Sequence, residues 1–202
     1  MSKNVMVIGT GTIGEPLIGL LAEHKDALGL EEILFFKRTP LSDEKGKVEA
    51  LLRKGAKIVS TSDVISDFKK LGFSDIEDVE KAYKDAGVII DCTPSGNENW
   101  ENIYSTLDQS KRFMAQGSEH GFGPFFAWGI NNDVLENGSN KYLIASCNTH
   151  NIASIIKTFA LDQSRELVEG QFVCLRRAND VSQNESFSPS PTITKHSNQE
   201  FG

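Results

Sequence analysis

The sequence lacks any apolar run long enough to span a bilayer, so it predicts no transmembrane segment. Cysteine is scarce. Cys92, Cys147 and Cys174 show neither metal-site spacing nor an even disulfide framework, which favours a reducing, cytoplasmic compartment. Positive charge is also in deficit, and the net charge of −7 argues against nucleic acid and against an anionic membrane as partners.

What remains is the composition of an ordinary globular protein. Of its 202 residues, 39% are hydrophobic and 24% are charged. Such a chain can bury a substantial core, as one large domain or as one domain plus part of another. Composition therefore indicates a folded protein and leaves its function to local motifs.

A glycine-rich motif follows the first predicted strand. Residues 4–8 (NVMVI) form an apolar run without alternation, as in a parallel strand covered on both faces. A complete G-x-G-x-x-G follows, and it opens a segment with helical apolar spacing. Gly9 then allows a tight turn, Gly11 lets a pyrophosphate approach the backbone, and Gly14 lets the helix pack on the strand. The alternative is a glycine-rich turn without a ligand. The predicted dinucleotide contacts are Gly9, Thr10, Gly11, Thr12, Ile13 and Gly14.

The second predicted strand, residues 32–36, ends in cations. An NAD-binding protein commonly has an acidic residue here for the ribose 2′-hydroxyl, whereas this chain has Lys37, Arg38 and Thr39. Two cations and a hydroxyl can pair with a 2′-phosphate, Arg38 in bidentate fashion. We therefore expect NADP as the cofactor, with NAD not excluded. The alternative is a solvated basic turn.

The residues after the basic segment at 37–39 contain no functional motif until the next predicted strand. Residues 41–85 are charged and helical in character, with amphipathic segments at 47–54 and 76–86. The strand at 87–91 is followed by the polar loop 92–96. Such a loop lies beside the ligand crevice of a parallel sheet, so Thr93, Ser95 and Gly96 are candidate cofactor contacts. A plain turn would explain these three residues equally well.

A cysteine follows a later strand and begins a helix. Residues 142–145 have strand composition, and apolar residues at helical spacing start at Ile152. Cys147 should therefore lie at or just before a helix N-terminus, where free N–H groups and the helix dipole favour the thiolate. This placement suits a nucleophile. The alternative is a buried, inert cysteine beside a cap formed by Asn148 or Thr149.

The rest of the chain offers further strands and few candidates. A short strand at 112–115 leads into a glycine-rich loop with His120, a residue type that in such a loop is more often a surface residue than a base. Apolar residues at 167–177 fit a strand that ends in Arg176 and Arg177. Residues 182–191, polar with two prolines, indicate a loop.

Taken in order, these motifs resemble the archaeal-type (class II) phosphorylating glyceraldehyde-3-phosphate dehydrogenases. The resemblance rests on GTGTIG at 9–14, KRTP at 37–40, DCTPSG at 91–96, QGSEH at 116–120, ASCNT at 145–149 and RRAND at 176–180. It implies an α/β fold, with a Rossmann-type doubly wound parallel sheet over residues 1–146 and the start of an α+β catalytic domain over 147–202. It further implies a homo-oligomeric full-length protein.

The resemblance also implies a reaction and a set of roles. The reaction is the NAD(P)-dependent oxidative phosphorylation of glyceraldehyde 3-phosphate through a thioester on Cys147, in glycolysis or gluconeogenesis. Glyceraldehyde 3-phosphate and inorganic phosphate would be the small-molecule partners. The cofactor would also contact Gln116 and Gly117. The substrate and phosphate contacts would be Asn148, Thr149, His150, Arg176 and Arg177.

The chain departs from the family pattern in two ways. After the cysteine the family has a sequence closer to CNTTGL, whereas this chain has His150 and Asn151. The family chain is also much longer, so we expect a truncation before the catalytic histidine, with His196 not in that role and turnover low or absent. A related semialdehyde or acyl-phosphate dehydrogenase, such as aspartate-semialdehyde dehydrogenase, and an NADP-binding module without turnover remain the alternatives.

Overall fold

A computed structural model describes residues 2–116, 119–161 and 167–173, and the backbone of residues 176–177 and 191–192. Contacts between Cα atoms divide the chain into two units, Met1–His150 and Asn151–Gly202, which we describe separately. The domain boundary expected at 146/147 stays a prediction.

The first unit alternates strands and helices. Its strands are β1 (Val5–Ile8), β2 (Ile33–Phe36), β3 (Lys57–Ser60), β4 (Ile76–Asp78), β5 (Val88–Asp91), β6 (Arg112–Gln116), β7 (Phe125–Phe126) and β8 (Lys141–Ile144). Its helices are α1 (Gly14–His24), α2 (Lys45–Arg53), α3 (Ile65–Lys70), α4 (Val79–Asp85), α5 (Gly96–Asn102) and the first turn of α6 (Cys147–Phe159). Two short 3-10 helices span Tyr104–Thr106 and Asn132–Glu136.

The strands form one eight-stranded sheet in the order β4-β3-β2-β1-β5-β6-β8-β7. Every neighbouring pair is parallel, and Val7 of β1 lies opposite Phe35 of β2 on one side and Ile90 of β5 on the other. The strand order reverses at β1, so the carboxyl ends of β1 and β5 flank the crevice where doubly wound sheets bind ligands. The predicted α/β Rossmann-type fold is confirmed.

The position of strand β1 in the sheet explains why apolar and polar residues do not alternate in its sequence. Met6 and Ile8 pack into an apolar cluster on one face of the sheet, while Val5 and Val7 pack into a second cluster on the other face. All four side chains are buried. Because helices cover both faces, the side chains of β1 are buried whichever way they point, which favours apolar residues at every one of its positions.

The middle of the chain contains two strands, β3 and β4, that the sequence did not reveal. The segment predicted as one amphipathic helix at 76–86 is wrong in its first part: Ile76–Asp78 is strand β4, and α4 begins at Val79. The carboxylate of Asp78 caps α4 by accepting a hydrogen bond from the Glu80 N–H at 2.9 Å. Strand β4 has three half-buried residues and pairs with β3 alone, so it is too short and too polar to show strand periodicity.

The second unit corrects a prediction about residues 167–177. Residues 167–173 have no regular secondary structure. Among the described residues of 167–177, Arg176–Arg177 forms a strand, β9, which pairs antiparallel with β10 (Pro191–Thr192). Val168 and Val173 are 97% and 88% exposed. An apolar pattern indicates a strand only where a partner strand is present, and residues 167–173 pair with no strand in the described ranges. None of the helices in those ranges combines the length and hydrophobicity needed to cross a membrane.

Candidate functional site

A cleft of about 610 Å³ opens at the carboxyl ends of β1, β2 and β5. Residues from three separate sequence motifs meet there: the glycine turn after β1, the basic turn after β2 and the polar loop after β5. The predicted cofactor contacts that line the cleft are Gly9, Thr10, Lys37, Arg38, Thr93 and Ser95. The fold therefore brings together residues that are up to about 85 positions apart in the chain.

The glycine turn has the backbone geometry that suits a bound pyrophosphate. Gly9 has φ +95°, and a Cβ atom on Gly14 would lie only 2.0 Å from the Gly9 carbonyl oxygen. No heavy atom lies within 4 Å of the place where a Cβ on the exposed Gly11 would be. The N-cap residue of α1, Ile13, makes no side-chain capping hydrogen bond, and the helix dipole at this end favours an anion. A tight turn, an open approach at Gly11 and the start of a helix fit the phosphates of a dinucleotide.

A buried carboxylate that the sequence did not single out organises the loop after β5. Asp91 is wholly buried, and its Oδ1 accepts hydrogen bonds from the Thr93 N–H at 2.8 Å and the Thr93 hydroxyl at 2.6 Å. Its Oδ2 accepts from Asn99 Nδ2 and from the Tyr104 hydroxyl, both at 2.7 Å. Burial and the neighbouring Asp91 raise the pKa of Tyr104, so its hydroxyl remains a donor. The feature of the sequence that could have identified Asp91 is its position as a carboxylate at the end of an otherwise apolar strand.

A second buried carboxylate joins the loop after β6 to helix α5. Oε2 of Glu119 accepts a hydrogen bond from the Asn97 N–H at 2.9 Å in the first turn of α5. Asn97 Nδ2 in turn donates to the His120 carbonyl at 3.0 Å. Gln116 lies at the end of β6, half-buried, and Gly117 lies outside the described residues. The side chain of His120 is exposed, with its ring 5.8 Å from that of Phe125.

The two predicted cations after β2 have different surroundings. Lys37 is 7% exposed, and its ammonium pairs with the carboxylate of Glu44 at the start of α2. Arg38 and Thr39 are exposed, and Arg38 lies at the cleft with no ion-pair partner among the described residues. Arg38 is therefore the more available of the two cations for a ligand.

Lys47 of α2 extends this charge cluster to the glycine turn. Its Nζ donates to the Thr10 carbonyl at 3.0 Å and lies 3.3 Å from carboxylate oxygens of both Glu44 and Glu15. Partial burial raises the pKa of Glu44, but Lys37 and Lys47 lower it more, so the net pKa lies below its usual value. Partial burial lowers the pKa of Lys47, but Glu44 and Glu15 raise it more. Sequence spacing does not predict these contacts, because they join three separate elements.

Cys147 is exposed and is the first residue of α6, separated from the end of strand β8 by two residues. The predicted position at a helix start is confirmed, and the alternative of a buried cysteine is wrong. The expected cap at Asn148 or Thr149 is also wrong: Oγ of Ser146 accepts the Thr149 N–H at 3.3 Å, and the Ser146 carbonyl accepts the His150 N–H at 2.8 Å. The helix begins at Cys147, so the cap falls on the residue before it.

The other predicted substrate contacts follow Cys147 on the same helix turn or lie in the second unit. Asn148 is half-buried, and the hydroxyls of Thr149 and Ser146 are 2.9 Å apart. Nε2 of His150 lies 3.2 Å from the Trp128 carbonyl oxygen. For Arg176 and Arg177 the structure describes the backbone alone, as strand β9. His196 and Cys174 lie outside the described residues.

A parallel sheet with a glycine turn at its switch point defines a dinucleotide-binding class of fold, here with an exposed cysteine at a helix start on the carboxyl edge. In sequence the chain is 30% identical over 180 residues to the glyceraldehyde-3-phosphate dehydrogenase of Sulfolobus acidocaldarius, covering 87% of this chain and 49% of the relative. It is 29% identical over 161 residues to that of Pyrobaculum calidifontis, covering 78% and 44%. It is 26% identical over 183 residues to that of Methanobrevibacter smithii, covering 90% and 52%.

These matches confirm the resemblance to archaeal glyceraldehyde-3-phosphate dehydrogenases that the motifs indicate. The chain spans about half the length of the curated relatives it matches. No protein-family model matches the sequence.

Proposed function

We propose that this chain is the dinucleotide-binding and nucleophile-bearing part of an NAD(P)-dependent, phosphorylating glyceraldehyde-3-phosphate dehydrogenase. The observation that carries the proposal is the position of Cys147, exposed at the first residue of α6 on the carboxyl edge of the sheet that holds the glycine turn. The names of the relatives support the same reading. Enzymes of this kind act in glycolysis and gluconeogenesis, which we take as the proposed setting, in the cytoplasm and as a homo-oligomer.

In this proposal the cleft holds the cofactor. The turn at Gly9, Gly11 and Gly14 receives the pyrophosphate, because a helix start and an open backbone favour phosphate oxygens. Arg38, which lines the cleft, is the proposed partner of a ribose 2′-phosphate, because a guanidinium pairs well with phosphate; the proposed cofactor is therefore NADP, with NAD also accepted. The loop held by Asp91 presents Thr93 and Ser95 to the same cleft. Thr12, Ile13, Gly96, Gln116 and Gly117 complete the proposed cofactor contacts.

The proposed chemistry begins with Cys147. Its thiolate adds to the aldehyde carbon of glyceraldehyde 3-phosphate and forms a thiohemiacetal. When bound, the nicotinamide supplies a hydride acceptor. Loss of a hydride to that acceptor and of the hydroxyl proton to solvent would leave a thioester on Cys147. Inorganic phosphate then attacks the thioester carbonyl, forming 1,3-bisphosphoglycerate and releasing the Cys147 thiolate.

The proposed substrate contacts are cationic or hydrogen-bonding groups suited to phosphate. Asn148, Thr149 and His150 occupy the first turn of the helix that begins at Cys147, and their side chains can donate hydrogen bonds to substrate oxygens. Arg176 and Arg177 are the second proposed contact, because planar guanidinium groups pair well with phosphate. Because a phosphorylating semialdehyde dehydrogenase also uses inorganic phosphate, these contacts separate it only weakly from a triose-phosphate enzyme, and the choice of acyl donor has to discriminate between the two.

Direct acylation of Cys147 tests the proposal without requiring turnover. In the reverse reaction 1,3-bisphosphoglycerate transfers its acyl group to the thiolate and releases phosphate, so the intact mass should increase by one phosphoglyceryl group. Cys147→Ser should abolish the increase, and Cys92→Ser should retain it. β-Aspartyl phosphate serves as the competing acyl donor, since preferential acylation by it would support a semialdehyde dehydrogenase instead. Acylation at a cysteine other than Cys147, or at none of the three cysteines, would contradict the proposal.

A further inference from the structure

Glu44 lies between two lysines at the edge of the cleft. Its carboxylate pairs with Lys37 and, through its other oxygen at 3.3 Å, with Lys47. Glu44 occupies the N-cap position of α2, yet its side chain makes no capping hydrogen bond to the helix. The carboxylate is thus directed to the lysines rather than to the backbone donors that an N-cap residue usually satisfies. Helix stability alone does not account for this arrangement.

We infer that Glu44 sets the cofactor preference: by holding Lys37 it reduces the positive charge offered to a ribose 2′-phosphate and keeps NAD usable beside NADP. The inference rests on the proposed binding of a dinucleotide in this cleft. In the unmutated chain Lys37 then does not contribute to cofactor binding, and Arg38 is the cation that contacts the 2′-phosphate.

The balance of charges supports this assignment. Lys37, Arg38 and Lys47 contribute three positive charges near the turn, and Glu44 and Glu15 contribute two negative ones. Lys47 is also held by the Thr10 carbonyl at 3.0 Å, so its position is fixed by the glycine turn. Neutralising Glu44 leaves the Lys37 ammonium, which is 7% exposed and poorly hydrated, without its anion. A dianionic phosphate would then replace the lost partner, whereas the 2′-hydroxyl of NAD offers no charge.

The first test is Glu44→Gln, with the dissociation constants of NADP and NAD measured by calorimetry. NADP affinity should rise by about tenfold, and NAD affinity should change by less than about threefold, because only NADP carries the added phosphate. The matched control is Glu49→Gln, which removes the same charge from the same helix where Glu49 pairs with Lys45 at 3.8 Å. Glu49→Gln should leave the NADP/NAD ratio unchanged. An unchanged ratio in Glu44→Gln as well would overturn the inference.

A second variant decides the matter if Glu44→Gln does not fold. Glu44→Gln combined with Lys37→Met removes both members of the pair, and this exchange leaves no buried charge unpaired. Because Lys37 does not contribute to cofactor binding in the unmutated chain, the double variant should keep the original ratio of NADP affinity to NAD affinity. A double variant that loses its preference for NADP would show that Lys37 contacts the phosphate directly, and the inference would be wrong. If the unmutated chain binds neither dinucleotide, the proposed function fails, and this inference fails with it.

Discussion

The hydroxyl of Tyr104 donates to the buried carboxylate of Asp91 at 2.7 Å, and both residues are at most 1% exposed. The Tyr104 ring stacks on Phe113, with ring centroids 5.8 Å apart, so the tyrosine is fixed by packing as well as by its hydrogen bond. Asp91 in turn holds the backbone of Thr93. A core tyrosine therefore supports, through one carboxylate, the loop that lines the cleft.

Tyr104→Phe should destabilise the protein by about 1.5–3 kcal/mol, since it removes one hydrogen bond to a buried charged acceptor and leaves the ring in place. Tyr142→Phe is the matched control, because the Tyr142 hydroxyl donates at 2.7 Å to the neutral carbonyl of Ser139. Tyr142→Phe should lower the free energy of unfolding by less, about 0.5–1.5 kcal/mol. Urea unfolding measures both free energies. An equal decrease in the free energy of unfolding in the two variants would contradict the stronger hydrogen bond that we expect to the charged carboxylate of Asp91.

Gly14→Ala should damage the glycine turn. The added Cβ would lie 2.0 Å from the Gly9 carbonyl oxygen, a backbone atom that cannot rotate away, so α1 must shift. We expect a loss of about 1–3 kcal/mol in unfolding free energy and weaker dinucleotide binding by calorimetry. Gly46→Ala is the control, because Gly46 lies in α2 with no atom within 4 Å of its Cβ position. It should gain about 0.5–1 kcal/mol. A Gly14→Ala variant as stable as the unmutated chain would refute the steric argument.

The elements that the sequence predicted well are those whose signal is local. Strand β1, the glycine turn and α1 occupy consecutive residues, and Cys147 is separated from its strand by two residues, so apolar pattern and turn chemistry suffice to place them. Strand β4 was missed because three edge residues show no periodicity. Residues 167–173 were assigned to a strand because their apolar side chains resemble one, although pairing decides the outcome.

The contacts that shape the site were not predictable in the same way. Glu44 reaches Lys37 across seven residues, and Glu119 caps α5 at Asn97, 22 residues earlier in the chain. Each contact depends on how helices and loops pack on the sheet, which sequence spacing does not report. The residue types after β2 were enough to predict candidate cofactor contacts. Only the structure shows that Lys37 is paired with Glu44 and that Arg38 is exposed.

Arg38→Ala should narrow the difference between NADP and NAD affinity. The exposed guanidinium is the proposed partner of the 2′-phosphate, and a charge-assisted hydrogen bond contributes about 1.5–3 kcal/mol before solvent screening reduces it. Arg53→Ala, at the far end of α2, is the control for removing an exposed arginine. Calorimetric titration with each dinucleotide gives the comparison. If the unmutated chain binds NAD and NADP equally, the assignment of Arg38 fails.

Iodoacetamide should modify Cys147 well before Cys92. Cys147 is exposed at a helix start, whereas burial, and secondarily the neighbouring Asp91, raises the pKa of Cys92 to about 12. Because the thiolate is the reacting species, Cys92 stays protonated across pH 7–9, and its alkylation should accelerate only as the pH approaches that value. Mass spectrometry of the peptides that contain Cys147 and Cys92, followed over time at pH 7, 8 and 9, measures the two rates. Unfolding in urea should bring the rates together, since it removes the burial of Cys92. Faster modification of Cys92 in the folded chain would mean that Cys147 is not the nucleophile.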